Sequence, residues 1–227
     1  MRRTDRGSRA RPIAWIAWIA LITAAPAGAA PEARDPQAAL VRRGFAVYGA
    51  ALKSRDGAQA VGAVSRNSLD YYDRVRKLAL SGSREELAAL DGTERMLVLG
   101  MRRDAPLELL ADATPGGLVS HAVSEGLISD QGAVKTELGD VAVDGDVALA
   151  TIVVDGTPTQ GRLRFVREDD VWKFDLEYAM RTSFGLIAAL AERAGMSEDE
   201  VIFQLLAQGG GSPPGPEIWK PPVAAAE

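Results

Sequence analysis

The chain has no cysteine and a single histidine, His121. The first absence removes disulfides, thiol nucleophiles, thiolate zinc sites, iron–sulfur clusters and a lipid-modified cysteine. The second leaves any Ser-His-Asp triad dependent on one residue and speaks against a histidine-rich metal site. Aromatic residues are only 6% of the chain, and no G-x-S-x-G, Walker loop or strand-borne G-x-G-x-x-G is present. Beyond Ala25 no apolar run is long enough to span a membrane, which takes about 20 residues.

What is present begins with MRRTDRGSRARPIAWIAWIALITAAPAGAAPEA. A basic start, an apolar stretch from Ile13 to Ala25 and small residues after it describe a secretory signal peptide, residues 1–29. Ala27-Gly28-Ala29 fits the cleavage site, so the mature chain starts at Ala30 in the periplasm or outside the cell. An uncleaved membrane anchor is the alternative, for which the apolar part is short. Cleavage removes five arginines and one aspartate, and the formal charge moves from −5 to −9. Such an acidic chain is a poor binder of nucleic acid, whose phosphates call for clustered Lys and Arg. Hydrophobic residues at 47% still allow a sizeable core without disulfides.

The mature chain reads as helices, then strands, then helices. Asp35-Pro36 is a helix start, and Val41, Phe45, Tyr48 and Leu52 share one helical face. Asp56-Gly57 ends that helix. Further helices are expected at Ala58–Val64, Leu69–Leu80, after the Ser83/Glu86 capping box, Thr93–Arg103, Leu107–Ala111 and Gly116–Gly126. From Thr136 the period becomes two. Strands are expected at Thr136–Val143, Val147–Val154, Gln160–Arg167 and Val171–Tyr178, with turns at Asp144-Gly145, Asp155-Gly156 and Glu168-Asp169-Asp170. In the last strand Trp172, Phe174, Leu176 and Tyr178 face the core, while Asp175 and Glu177 face water near Arg162 or Arg164. Phe184, Ile187, Ala188 and Ala191 form another helical face. Ser197 and Glu200 cap a final helix, and residues 208–227 make a Gly/Pro-rich tail without period. The domain is then 35–207: helices 35–131, antiparallel sheet 136–178 and helices 182–207.

This α+β order resembles the nuclear transport factor 2-like superfamily, which includes ketosteroid-isomerase-like proteins. The resemblance is carried by the opening helix with Phe45, Tyr48, Leu52 and LKSRDGAQAV, and by VAVDGDVALATIVV…GRLRFVREDDVWKFDLEY, roughly Asp35 to Tyr178. It implies a cone-shaped domain, a curved sheet wrapped on N-terminal helices, with a pocket between them lined by Tyr48, Trp172, Phe174 and Tyr178. The long helical stretch from Ser83 to Gln131 and the helices after Tyr178 exceed the family pattern. They are candidates for covering the pocket or forming a homodimer surface. Aromatics at these periods also serve as plain core.

Among candidate chemical groups, His121 carries the side-chain type best suited to proton transfer near neutrality. Ser120 beside it points elsewhere on a helix. Asp70 and Asp73 share a helix face flanked by Arg74, Arg76 and Lys77, the pattern of a solvated ion-paired surface. Asp140, Asp144 and Asp146 lack calcium-loop spacing. Ile218-Trp219, flanked by prolines, is a docking candidate for a partner or for the chain's own domain, against the expectation of an unstructured end. Three functions follow: a secreted non-catalytic module holding a small apolar ligand or protein partner; a cofactor-independent isomerase, dehydratase or hydrolase of a small hydrophobic substrate using His121; and an assembly component of a cell-envelope complex. No cofactor and no metal are expected. Intact-mass measurement of the exported protein should give a chain starting at Ala30; a chain retaining residues 1–29 would support the anchor.

Overall fold

The computed structural model describes residues 35–128, 136–184, 187–208 and 214–223. The expected signal segment 1–29, its expected cleavage site and the expected lead Ala30–Arg34 lie outside the described residues. The chain is α+β, with an open four-stranded antiparallel sheet. Among the described residues no helix is long and apolar enough to cross a membrane.

Seven helices precede the sheet among the described residues: α1 (Pro36–Ser54), α2 (Gly57–Ala63), α3 (Arg66–Ser81), α4 (Arg84–Ala88), α5 (Gly92–Asp104), α6 (Leu107–Asp112) and α7 (Gly117–Ser124). Their starts follow the cap chemistry in the sequence. Asp35 accepts from Gln37 N, Asp56 from Gln59 N and Asp91 from Glu94 N. Ser83 and Glu86 form the expected capping box. α3 begins three residues before the expected Leu69, because Ser65 caps it by accepting from Ser68 N.

The strands are β1 (Thr136–Asp144), β2 (Val147–Val154), β3 (Thr157–Glu168) and β4 (Val171–Phe174), in the spatial order β1-β2-β3-β4. Each hairpin closes with two residues. Asp144 pairs with Val147, Val154 with Thr157 and Glu168 with Val171. Asp155 and Gly156, and then Asp169 and Asp170, have positive φ, the backbone that matches the twist of paired strands. β3 starts before the expected Gln160. Pro158, opposite Val153, lies next to an irregularity in the ladder, where a missing N–H is tolerated.

The fourth strand departs from expectation. It stops at Phe174, and the chain turns into helix α8 (Leu176–Phe184) rather than continuing extended to Tyr178. Asp175 is therefore not on a wet face; it is fully buried. Its N–H completes the ladder to Arg164 O at 3.0 Å. Its carboxylate accepts from Tyr178 N at 2.9 Å, capping α8, from Ser68 Oγ at 3.2 Å and from Arg164 Nε at 2.6 Å. The expected pairing with Arg164 holds, but inside the protein. Glu177 pairs with Arg181 at 2.9 Å.

α9 (Ile187–Ala194) and α10 (Glu198–Gln208) follow, the latter opened by the Ser197/Glu200 box. The tail is not an unstructured end throughout. Pro216–Trp219 forms a short 3-10 turn with Ile218 and Trp219 buried. Phe203 lies 6.1 Å from the Trp219 ring, the Arg84 guanidinium 5.1 Å over it, and Arg102 donates to Trp219 O at 2.8 Å. The tail thus docks on its own domain.

Two apolar cores result. One joins α1 and α2 to the sheet through Val41, Tyr48, Ala150, Phe165, Trp172 and Phe174. Gly44 allows the close approach of α1: a Cβ there would sit 2.6 Å from Trp172 O. The other joins α3, α5 and the helices after the sheet through Val75, Leu97, Leu99, Ile202 and Leu206. Leu69 and Leu176 pack against both. Asp175→Ala strips the α8 cap and the side-chain contacts to Ser68 and Arg164 at the seam. Removing one partner of a buried pair costs about 3–5 kcal/mol, and the partial exposure of Arg164 lowers this to roughly 2–3 kcal/mol. Urea unfolding should show that loss; a change below about 1 kcal/mol, the scale of an ordinary hydrogen bond, would contradict this role for Asp175.

Candidate functional site

Neither of the two cavities described below is lined by Tyr48, Trp172, Phe174 or Tyr178. Tyr48 and Phe174 pack ring to ring at 5.0 Å, and Phe45 meets Phe174 at 5.8 Å. Trp172 is 2% exposed and donates from Nε1 to Gln37 Oε1 at 2.9 Å. The indole's need for a polar partner is thereby met inside the core. Tyr178, on α8, lies under the Arg164 guanidinium at 4.9 Å. Tyr48, Trp172 and Phe174 belong to the sheet-side core.

The apolar cavity lies elsewhere, among α3, α5, α6, α7 and α8. Its volume is about 350 Å³, and its walls include Leu97 and Met101 from α5, Leu109 from α6, Leu118 and Val119 from α7, and Leu176 and Met180 from α8. The local sequence explains the walls. α5 carries apolar residues at nearly every position of its middle, so it is buried on several faces and still offers Leu97 and Met101 to the space. α8 exists because Asp175 caps it, and Leu176 and Met180 are four apart on one of its faces.

Among the described residues four polar groups reach this wall: Tyr72, His121, Asp104 and Glu125. His121 is the sequence candidate that the structure brings to the cavity. Asp104 is held by Arg103 through Nε at 2.8 Å and a second nitrogen at 2.5 Å, a bidentate pair that cancels its charge. Tyr72 is 8% exposed, and its hydroxyl has no hydrogen-bond partner among the described residues. Burial first, then the charges of Tyr71, Tyr48, Glu177 and Asp175, pushes its phenol well above the usual range, so it remains a proton donor. Tyr72 was not singled out by sequence. Its neighbours Asp70 and Asp73 made the segment look like a solvated face.

That face is in fact partly interior. Asp73 and Arg76 are buried and paired at 2.9 Å, Lys77 reaches Asp73 at 2.7 Å, and Arg76 also donates to Leu110 O, tying α3 to α6 behind the cavity wall. A second, polar depression of about 430 Å³ lies at the start of α5. Its cations are answered from within. Arg181 pairs with Asp91 at 2.6 Å and Glu177 at 2.9 Å, and Arg95 with Asp199 at 2.7 Å. Among the described residues no group of three His, Asp or Glu side chains is placed to hold a metal ion.

No family model matches the chain, and no curated protein and no solved structure matches it either.

Burial raises the Asp73 pKa, but hydrogen bonds from Lys77 and Arg76 outweigh it and hold the carboxyl below its usual range. The unfolded chain therefore takes up this proton more readily than the folded one. The stability from Asp73 is present above the ordinary carboxylate pKa, about 4, and is lost as pH falls through the lower folded value. Asp73→Asn should lower stability at neutral pH and flatten the acid limb of a stability-against-pH curve. An unchanged acid limb would contradict the assignment.

Proposed function

We propose that the protein is an exported, non-catalytic module that holds a small apolar ligand in the cavity among α3 and α5–α8. The observation that carries this reading is an apolar space of about 350 Å³ with a few polar groups on its wall. Small-molecule sites have this character, and the volume lies at the low end of their range, about 300–1,000 Å³. The signal-like N-terminus supports a periplasmic or secreted location, and the absence of cysteine is compatible with either.

The resemblance to the nuclear transport factor 2-like superfamily enters at the level of fold. Its support is the aromatic contact of Phe45 and Tyr48 with Phe165 and Phe174, the helix-on-sheet contact of a cone-shaped domain. In this reading the ligand sits outside that layer, in the helical extension.

A second reading is favoured by one observation, the presence of His121 on the cavity wall. A cofactor-independent isomerase, dehydratase or hydrolase would use it as general base or acid on a bound apolar substrate. The assembly reading loses its docking segment, since Trp219 is buried against the chain's own Phe203.

Native mass spectrometry of protein taken gently from its host's envelope should show a small-molecule mass that leaves on denaturation. Ala122→Phe, which places a ring in the cavity, should lose that mass while the protein still folds. A bare mass together with apolar-dye binding that Ala122→Phe leaves unchanged removes the reading. His121→Asn separates the two versions: a carrier keeps its ligand and an enzyme loses turnover.

A further inference from the structure

We propose that the occupant of the helical cavity is an uncharged apolar molecule bearing a hydroxyl or carbonyl oxygen, that this oxygen meets the Tyr72 hydroxyl, and that carboxylates are turned away. This rests on the cavity being a ligand site, as proposed above, and adds the chemical class of the ligand.

Charge decides the first half. Among the described residues neither Lys nor Arg lines the cavity; the ionisable groups they place on its wall are His121, Asp104 and Glu125, beside the phenol of Tyr72. An anionic head would enter an apolar space in which the described residues place no fixed cation to answer it, which is costly. A cationic head has a weak counterpart, because Asp104 is already closed off by the two hydrogen bonds from Arg103 and Glu125 is exposed to water.

Tyr72 decides the second half. Its side chain is over nine-tenths buried and lines the space, and its hydroxyl is unpartnered among the described residues. A ligand oxygen can reach a hydroxyl on the wall of an otherwise apolar cavity, and in those surroundings the hydrogen bond is stronger than the same bond in water. Tyr71 has a fully buried hydroxyl without a partner, but it sits beneath Arg74 and Arg181 and does not line the cavity. The feature that makes Tyr72 a recognition group is therefore its position on the wall. A site built around one hydrogen bond in apolar surroundings discriminates strongly between a ligand that makes that bond and an analogue that does not.

The test uses three probes of one bicyclic body: naphthalene, naphthol and naphthoate. Each is titrated calorimetrically at neutral pH into the full mature chain, residues 30–227, and into Tyr72→Phe. Naphthol should bind at least about tenfold more tightly than naphthoate and several-fold more tightly than naphthalene, the scale of one hydrogen bond to a buried partner. Tyr72→Phe should erase the advantage of naphthol over naphthalene and leave naphthalene binding and the melting temperature unchanged. Naphthoate binding as tightly as naphthol would overturn the inference, as would an advantage for naphthol that survives Tyr72→Phe. In either case the binding of naphthalene keeps the apolar site itself standing. If none of the three binds and native spectra show a bare chain, the site reading falls, and this inference with it.

Discussion

The carboxylate of Asp175 is where the two halves of this protein are joined. It ends β4, starts α8, receives Ser68 from α3 and pairs with Arg164 from β3. A fully buried carboxylate is tolerated only with its lone pairs met, and here three donors meet them. The direction in which α8 leaves the sheet follows from that cap. So does the presence of Leu176 and Met180 on the cavity wall. The cavity is thus a consequence of how the sheet is terminated.

Much of the fold was legible because its signals are local. Asp35-Pro36 and the spacing of Val41, Tyr48 and Leu52 define α1 and its buried face, and Asp-Gly pairs mark the first two hairpins. The reading failed at Asp175 for a physical reason. In VWKFDLEY the alternation of apolar and polar residues continues past Phe174, so the pattern cannot tell a strand residue from a helix cap. The partners that decide, Ser68 and Arg164, are 107 and 11 positions away. The same applies to Asp73 and Arg76, a helical ion pair whose burial depends on α6 lying over it.

The candidate site was legible in one residue only. His121 was named for its chemistry and falls on the cavity wall; Tyr48, Trp172 and Phe174 were named for their periodicity and fall in the sheet-side core. Periodicity finds faces, and a face becomes core or pocket only when its opposing element is known. The cavity takes residues from five helices spread between Tyr72 and Met180, so no sequence window contains it. Nothing in the sequence distinguishes Tyr72 from Tyr71, yet one lines the cavity and the other lies beneath guanidinium groups.

The burial of Trp219 gives the molecule a built-in optical property. The chain has four tryptophans, two of which, Trp15 and Trp18, lie in the N-terminal segment proposed to be cleaved. Without that segment one indole remains in each core: Trp172 between α1 and the sheet, and Trp219 against α10 and the Arg84 guanidinium. Intrinsic emission then reports the two cores through separate reporters. Replacing either indole with phenylalanine leaves a single-colour view of the other core. The order in which the two signals are lost during unfolding tells whether the seam at Leu69, Asp175 and Leu176 holds the halves as one cooperative unit.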